Sequence, residues 1–187
     1  MLSRVTRIPF SFSKTVFFYF ALLLLLVPAR LLFAATVSAA IHELFHVAAI
    51  CFMKIRIHSI HIGVRGARIH TEPMTGNEEL LCSLAGPLSG FLLLFLFRRM
   101  PVIALTGAIQ SLYNLLPLYP TDGGRALQCC AKLILPRGAA DKVIYTTEIV
   151  TLSAVMALGV YGSIWLRLGI LPAALAVSLL LQSAKQK

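Results

Sequence analysis

Six apolar stretches of about membrane-spanning length constrain this chain more than any other feature of its sequence. A hydrocarbon core of about 30 Å needs roughly twenty apolar residues in a helix, and spans inside a bundle can be shorter or interrupted. The predicted spans are Phe10–Val27, Leu31–Met53, Leu80–Phe97, Val102–Leu118, Val143–Tyr161 and Ile164–Leu181. We therefore expect an all-α polytopic membrane protein with about six transmembrane helices, forming a single domain over residues 1–187.

Composition and charge support the membrane setting. Hydrophobic residues make up 58% of the chain and charged residues only 13%, which is more apolar surface than a soluble domain of this size could bury. The net charge of +10 would suggest nucleic acid in a soluble protein, but the basic residues lie mainly between the apolar runs. The lipid bilayer is therefore an expected partner and nucleic acid is not. The four cysteines have no metal-binding or redox spacing, and we expect reduced packing residues.

The distribution of lysine and arginine predicts the orientation of the spans. With the N-terminus inside, thirteen of the 17 basic residues fall in cytoplasmic segments, which favours a multi-pass cell-membrane protein with both termini in the cytoplasm. The alternative for the N-terminus is a cleaved secretory signal peptide, with basic residues before "LLLLLV" and small residues in "FAATVSAA". Cleavage there would detach the following histidines from their helix, so we expect the segment to be retained.

The connection between spans two and three, Lys54 to Glu79, is the sizeable polar segment of the sequence. Within it, "RIHSIHIGVRGARIH" alternates partly between apolar and polar residues and contains Gly63 and Gly66. Alternation with period two and interspersed glycines are typical of paired strands. We predict a short β-hairpin on the cytoplasmic side, with the strand Arg56–Val64 offering an unpaired edge.

The stretch "SAAIHELFHVAAI" places His42, Glu43 and His46 in the middle of the second span. Helical geometry puts the two histidines on one face, about 40° apart, with Glu43 beside them. Two imidazoles one turn apart can both bind Zn²⁺, and the carboxylate can take a proton from the attacking water. Hydrogen-bonded core histidines with a packing carboxylate are the alternative, but ionisable groups at this depth are costly unless they are paired or metallated.

A catalytic zinc takes three protein ligands, so a third ligand must come from elsewhere in the chain. Asp122 is the best candidate because it follows Pro117 and Pro120 in "NLLPLYPTDGGR", where the prolines must break the helix and two glycines allow a tight re-entry. Irregular backbone at membrane depth is tolerated where it lines a cavity or is buried in protein. The predicted topology also places His46 and Asp122 at similar depth on the cytoplasmic side.

Three motifs together resemble the site-2 protease family of intramembrane zinc metalloproteases: "HELFH", "LAGPLSG" and "NLLPLYPTDGG". The match covers about residues 31–125, the expected catalytic core, with extra spans over about 143–181. The resemblance implies that His42, His46 and Asp122 hold one zinc per chain and that Glu43 is the general acid/base. It further implies that Asn114 positions the substrate or the metal-site carboxylate.

The same resemblance implies an endopeptidase that cleaves a transmembrane or membrane-adjacent segment of a regulatory protein, with membrane regulatory proteins as further partners. The compact layout without an inserted PDZ domain is similar to the stage IV sporulation FB-like branch, which processes a sigma-factor precursor. This chain departs from that branch by ending at Lys187 without a CBS domain. The substrate's backbone would pair with the free edge of the Arg56–Val64 strand.

Two readings from other classes stay open on the sequence alone. One is a non-enzymatic membrane zinc-binding or transport protein, which would use the same ligands without needing Glu43. The other is a structural membrane subunit that binds no metal. His58, His61 and His70 could bind a second metal ion or could simply be surface histidines. Side chains alternate between the two faces of a strand, which puts His58 and His61 on opposite faces and favours surface histidines.

Overall fold

The apolar runs fold mainly as α-helices, and the polar connection forms part of a small sheet. The computed structural model describes residues 9–63, 66–165, 177 and 180. Its elements are β1 (Phe10–Phe12), α1 (Lys14–Leu26), α2 (Ala29–Phe52), β2 (Ile57–Gly63), β3 (Gly66–Thr71), α3 (Gly76–Leu93), α4 (Pro101–Asn114), α5 (Asp122–Ile134) and α6 (Arg137–Ile164). A 3₁₀ turn, Leu94–Leu96, extends α3. The chain divides into two compact units, residues 1–112 and 113–187.

Three helices within the described residues are long and apolar enough to cross a membrane. They are Ala29–Phe52, α3 with its 3₁₀ extension as Gly76–Leu96, and Arg137–Ile164. These helices match the predicted second, third and fifth spans, with bounds that differ by a few residues. The sixth predicted span, 164–181, lies mostly outside the described residues.

The first and fourth predicted spans differ from the prediction. Phe10–Phe12 form a strand, so the first helix begins only at Lys14 and has 13 residues. At 1.5 Å per residue this helix is about 20 Å long, which is shorter than a hydrocarbon core. The fourth helix has 14 residues and ends at Asn114. The prediction of a helix to Leu118 is wrong because Pro117 removes a backbone donor and disfavours helical backbone in the residue before it.

Within the first unit, α2 is bounded by residues that suit helix ends. It starts directly after Pro28 and ends at Phe52; Met53 is the C-cap residue, and Lys54 after it adopts a left-handed backbone with φ 59°. A left-handed residue after the last turn is a common way to end a helix. Ser38 holds α2 against α4, since its buried hydroxyl group lies 3.1 Å from the carbonyl oxygen of Ile103 and 2.9 Å from that of Ala34.

The α3 helix is fixed at its start by a capping box and in its middle by close packing. Thr75 caps the helix and its backbone N–H donates to the Glu78 carboxylate at 2.7 Å. Further along, a Cβ atom at Gly90 would lie 2.7 Å from the backbone carbonyl carbon of Gly107 in α4. The small residues therefore allow α3 and α4 to approach at backbone distance.

The sheet has three strands in the order β1-β2-β3. Antiparallel pairing of β2 with β3 confirms the predicted hairpin. The prediction of an unpaired β2 edge is wrong, because β1 pairs with β2 in parallel and aligns Phe10–Phe12 with Ile60–Ile62. The N–H of Ile60 donates to the carbonyl oxygen of Pro9 at 3.2 Å, and the N–H of Ser13 donates to the carbonyl oxygen of Ile62 at 3.0 Å. The N-terminal segment thus satisfies backbone groups that an isolated hairpin would leave exposed.

The second unit contains a short irregular segment followed by α5 and α6, which contact each other. The sequence did not predict α5, whose 13 residues begin at Asp122. The α6 helix begins after Pro136 and runs for 28 residues. Few of its side chains are buried within the described residues, as expected of a helix that faces lipid.

Candidate metal centre

His42 and His46 lie side by side on α2, as their spacing predicts. Both are buried, with 4% and 7% of their surfaces exposed, and their ring centroids are 4.8 Å apart. The two Nε2 atoms are separated by 3.2 Å. Side chains one helical turn apart thus direct the same type of nitrogen atom to one point in the protein interior.

The backbone of α3 determines which nitrogen of His46 carries the proton. Nδ1 of His46 lies 2.8 Å from the carbonyl oxygen of Cys82. A carbonyl oxygen can only accept, so Nδ1–H must be the donor, and in the neutral ring the lone pair is then on Nε2. Metal-binding histidines commonly donate their other ring N–H in this way, which fixes the ring and raises its basicity.

The distance between the two Nε2 atoms suits a shared zinc ion. Zinc binds imidazole nitrogen at about 2.0–2.1 Å with tetrahedral angles, which puts two such ligand atoms about 3.3 Å apart. The 3.2 Å separation in this structure matches that value closely. The two histidines therefore fit the metal that the sequence predicts.

Gly86 of the "LAGPLSG" segment makes room for both imidazole rings. A Cβ atom at this position would lie 2.6 Å from Cε1 of His46 and 2.7 Å from Nε2 of His42. It would lie closer still to Nε2 of His46. The α3 backbone therefore packs directly against the two rings.

Glu43 extends from the same turn of α2 but contacts the sheet. Its side chain is half-buried, and its Oε1 atom accepts a hydrogen bond from the Ala67 N–H at 3.1 Å. Gly66 precedes Ala67 with a φ of 105°, and a Cβ atom there would lie 2.9 Å from the same oxygen. The hairpin therefore reaches the carboxylate beside the histidines, and Gly66 is the sole trace of this contact in the local sequence.

Asp122 and Asn114 belong to the second unit. Asn114 is the last residue of α4, and Asp122 is the first residue of α5, directly after its cap residue Thr121. The Thr121 hydroxyl group can donate to the carbonyl oxygens of Leu116 and Leu118, at 2.5 and 2.7 Å. It also accepts from the N–H of Gly124 at 3.4 Å. This capping arrangement places the half-buried Asp122 in the first turn of α5, at the positive end of the helix dipole.

The glycines after Asp122 have a different role from the predicted one. Gly123 and Gly124 are helical, whereas the sequence analysis expected them to form a tight re-entrant turn. A Cβ atom at Gly124 would lie 2.5 Å from the carbonyl carbon of Leu118, and one at Gly123 would lie 2.7 Å from the carbonyl oxygen of Leu116. The glycines therefore allow the first turn of α5 to pack against the irregular segment before it.

The other histidines lie on the sheet. His58 and His61 are on β2 and His70 is on β3, and the His61 ring lies 2.8 Å from the Ser11 hydroxyl group of β1. In the part of the chain that the structure describes, the candidate metal group includes none of these three. They are partly or fully exposed, as expected of surface histidines.

Comparison with known proteins finds a similar fold among solved structures. No protein-family model and no curated protein sequence matches the chain. Among solved structures, the site-2 protease from Methanocaldococcus jannaschii has a TM-score of 0.62 and 19% sequence identity, over 98% of this chain and 93% of that chain. The similarity shows that the two chains share a fold over nearly their whole length. The predicted resemblance to a site-2 protease is thus confirmed at the level of the fold.

Proposed function

We propose that this chain is an intramembrane zinc endopeptidase of the site-2 protease type. The observation that carries the proposal is the pair of buried Nε2 atoms at 3.2 Å, in a fold shared with a site-2 protease. The intact "HELFH" motif supplies a carboxylate beside them. A protein that only held or transported zinc would not need that carboxylate.

His42, His46 and Asp122 would hold the zinc in this proposal. Two imidazoles and one carboxylate are a donor set found in catalytic zinc sites, where one position stays open for water or substrate. Each of the three residues can offer one ligand atom, an imidazole nitrogen or a carboxylate oxygen. Asn114 would orient the substrate or the Asp122 carboxylate.

Glu43 would transfer the proton in both halves of the reaction. When bound, zinc supplies Lewis-acid polarisation of the attacking water and of the scissile carbonyl group. The Glu43 carboxylate takes the proton from the water as it attacks the carbonyl carbon. It then delivers that proton to the leaving amine as the C–N bond breaks, which restores the ionised carboxylate.

The membrane setting determines what kind of substrate fits. The two histidines lie on a helix that is long and apolar enough to cross a bilayer, so the substrate would be a transmembrane or membrane-adjacent segment. A peptide bond inside a helix is shielded by its own hydrogen bonds, so this segment must unwind locally before cleavage. We propose a membrane-associated regulatory protein as the substrate. Both termini of the protease would lie in the cytoplasm.

Replacing Glu43 with glutamine separates this proposal from a zinc carrier. Glutamine has nearly the same shape but cannot take up a proton, so Glu43→Gln should keep its zinc and lose proteolysis. Membrane and soluble proteins would be compared between cells carrying either form of the chain. A membrane precursor that accumulates only with Glu43→Gln, together with loss of its soluble fragment, is the expected result and would identify the substrate. Identical protein profiles, with zinc transport retained in both forms, would contradict the protease.

A further inference from the structure

We infer that the start of β3 is a positioning element for Glu43, and that the Ala67 N–H holds the carboxylate in its working orientation. This inference rests on the proposed function, because it concerns the residue assigned as general acid/base. It gives the hairpin a role in proton transfer, in addition to zinc binding by the proposed histidine and aspartate ligands. All the contacts that carry it lie within the first unit.

The register of the sheet leaves the Ala67 amide directed away from the ladder. β3 is an edge strand, and its pairing aligns Ala67 with Ile62 and Gly66 with Gly63. In an antiparallel edge strand, alternate N–H groups point away from the partner strand. The Ala67 N–H points to Oε1 of Glu43 at 3.1 Å. The amide therefore finds its acceptor on α2.

Gly66 is the residue that permits this approach. Its φ of 105° is a backbone conformation that residues with a side chain rarely adopt, and a Cβ atom at this position would lie 2.9 Å from Oε1 of Glu43. Gly63, its partner across the hairpin, differs in both respects. Among the described residues, a Cβ atom at Gly63 would have only the Gly66 carbonyl oxygen nearby, at the ordinary distance of 3.9 Å. The two glycines thus form a matched pair in which only one is close to the carboxylate.

The contact limits the freedom of a long side chain. A glutamate on a helix has several accessible rotamers, and a carboxylate that must transfer a proton needs a restricted set of them. A hydrogen bond from a neutral donor to a charged carboxylate is among the stronger polar contacts in proteins. By holding Oε1, the Ala67 amide restricts the positions that Oε2 can occupy relative to the attacking water of the proposed reaction.

The contact is first tested without any substrate. In the zinc-loaded full-length protein, we expect the Ala67 amide to exchange its hydrogen at least about tenfold faster in Glu43→Ala than in the wild type, since the acceptor is lost. Amides of β3 that pair with β2 serve as the internal reference. Equal protection of the Ala67 amide in both proteins would overturn the inference.

The catalytic consequence is tested with Gly66→Ala beside Gly63→Ala, using casein as an unfolded probe substrate. Gly66→Ala should lower kcat by about tenfold or more, keep KM within about twofold and retain its zinc, because the hairpin acts on the carboxylate and not on the ligands. Gly63→Ala should stay close to wild type. Similar kcat values for the two variants would overturn the inference.

A backbone variant guards against misfolding of Gly66→Ala. Incorporating lactic acid, the α-hydroxy analogue of alanine, at position 67 replaces the N–H by an ester oxygen and leaves the side chain unchanged. The ester should reproduce the fall in kcat, and wild-type kcat in the ester protein would overturn the inference. Wild-type protein with neither zinc nor cleavage would instead contradict the proposed function, so the two failures are distinguishable.

Discussion

Gly86→Ala should remove the metal site by adding a single methyl group. Gly86 packs against both histidine rings, and a Cβ atom would lie 2.6 Å from Cε1 of His46 and 2.7 Å from Nε2 of His42. Ordinary contact begins at 3.4 Å, so each ring must withdraw by about 0.7 Å or more, or α3 must move away from α2. A larger shift is needed at Nε2 of His46, which lies closest to the added atom.

The size of this shift determines the effect on zinc. Ligand distances in a working metal site are held within about 0.2 Å, so a displacement of about 0.7 Å is several times the tolerance. Changes to residues that merely support metal ligands lower affinity by about 10- to 100-fold. Gly86→Ala displaces the ligands themselves, and we expect zinc affinity to fall by more than about 100-fold. Overpacking adds a destabilisation of about 1–3 kcal/mol.

Two other glycines provide matched controls. Gly90 is on the same helix as Gly86, but a Cβ atom there would contact Gly107 and Ser111 of α4. Gly90→Ala should therefore lower the stability of the protein in detergent, while the folded fraction keeps its zinc. Gly138→Ala, in the first turn of α6, would meet none of the described atoms within 4 Å and should be neutral or stabilising, by up to about 1 kcal/mol. Zinc per chain and thermal unfolding would be measured for all three. Full zinc occupancy in Gly86→Ala at limiting zinc concentrations would refute the argument that α3 packs on metal ligands.

Other residues give further expectations. Thr121→Ala should destabilise the protein by about 1–2 kcal/mol and weaken zinc binding, because it removes the cap that presents Asp122, whereas Thr121→Ser should retain most of both. Thr75→Ala removes a cap of α3 in the first unit and should cost about 1 kcal/mol in unfolding free energy with zinc unchanged. Reporter domains fused to either terminus should both be active in the cytoplasm, and an active reporter outside the cell would contradict the predicted orientation.

Local patterns in the sequence were sufficient to predict the parts of the protein that depend on neighbouring residues. The spacing of His42 and His46 follows from helical periodicity, and the alternation around Gly63 predicts the hairpin. In both cases residues a few positions apart determine the geometry. The structure agrees with the predictions for these elements, including the close approach of the two imidazole rings.

The features that the sequence did not predict depend on partners distant in the chain. Phe10–Phe12 reads as the start of an apolar span, and only pairing with Ile60–Ile62 makes it a strand. The contact of Glu43 with Ala67 joins a helix to a sheet edge across 24 positions, and its sole local trace is a glycine at Gly66. Such contacts are set by tertiary packing, which overrides local preference.

We propose that two distant motifs hold a single zinc ion, and the zinc content of the purified protein is the decisive measurement. Zinc per chain would be measured in detergent-purified wild-type protein beside His46→Ala and Asp122→Ala, with the exposed sheet residue His58→Ala as control. We expect about one zinc per chain in wild type and in His58→Ala, and loss of zinc in both ligand variants. Well-folded wild-type protein that stays free of zinc after metal replenishment, or Asp122→Ala that binds zinc as tightly as wild type, would contradict it.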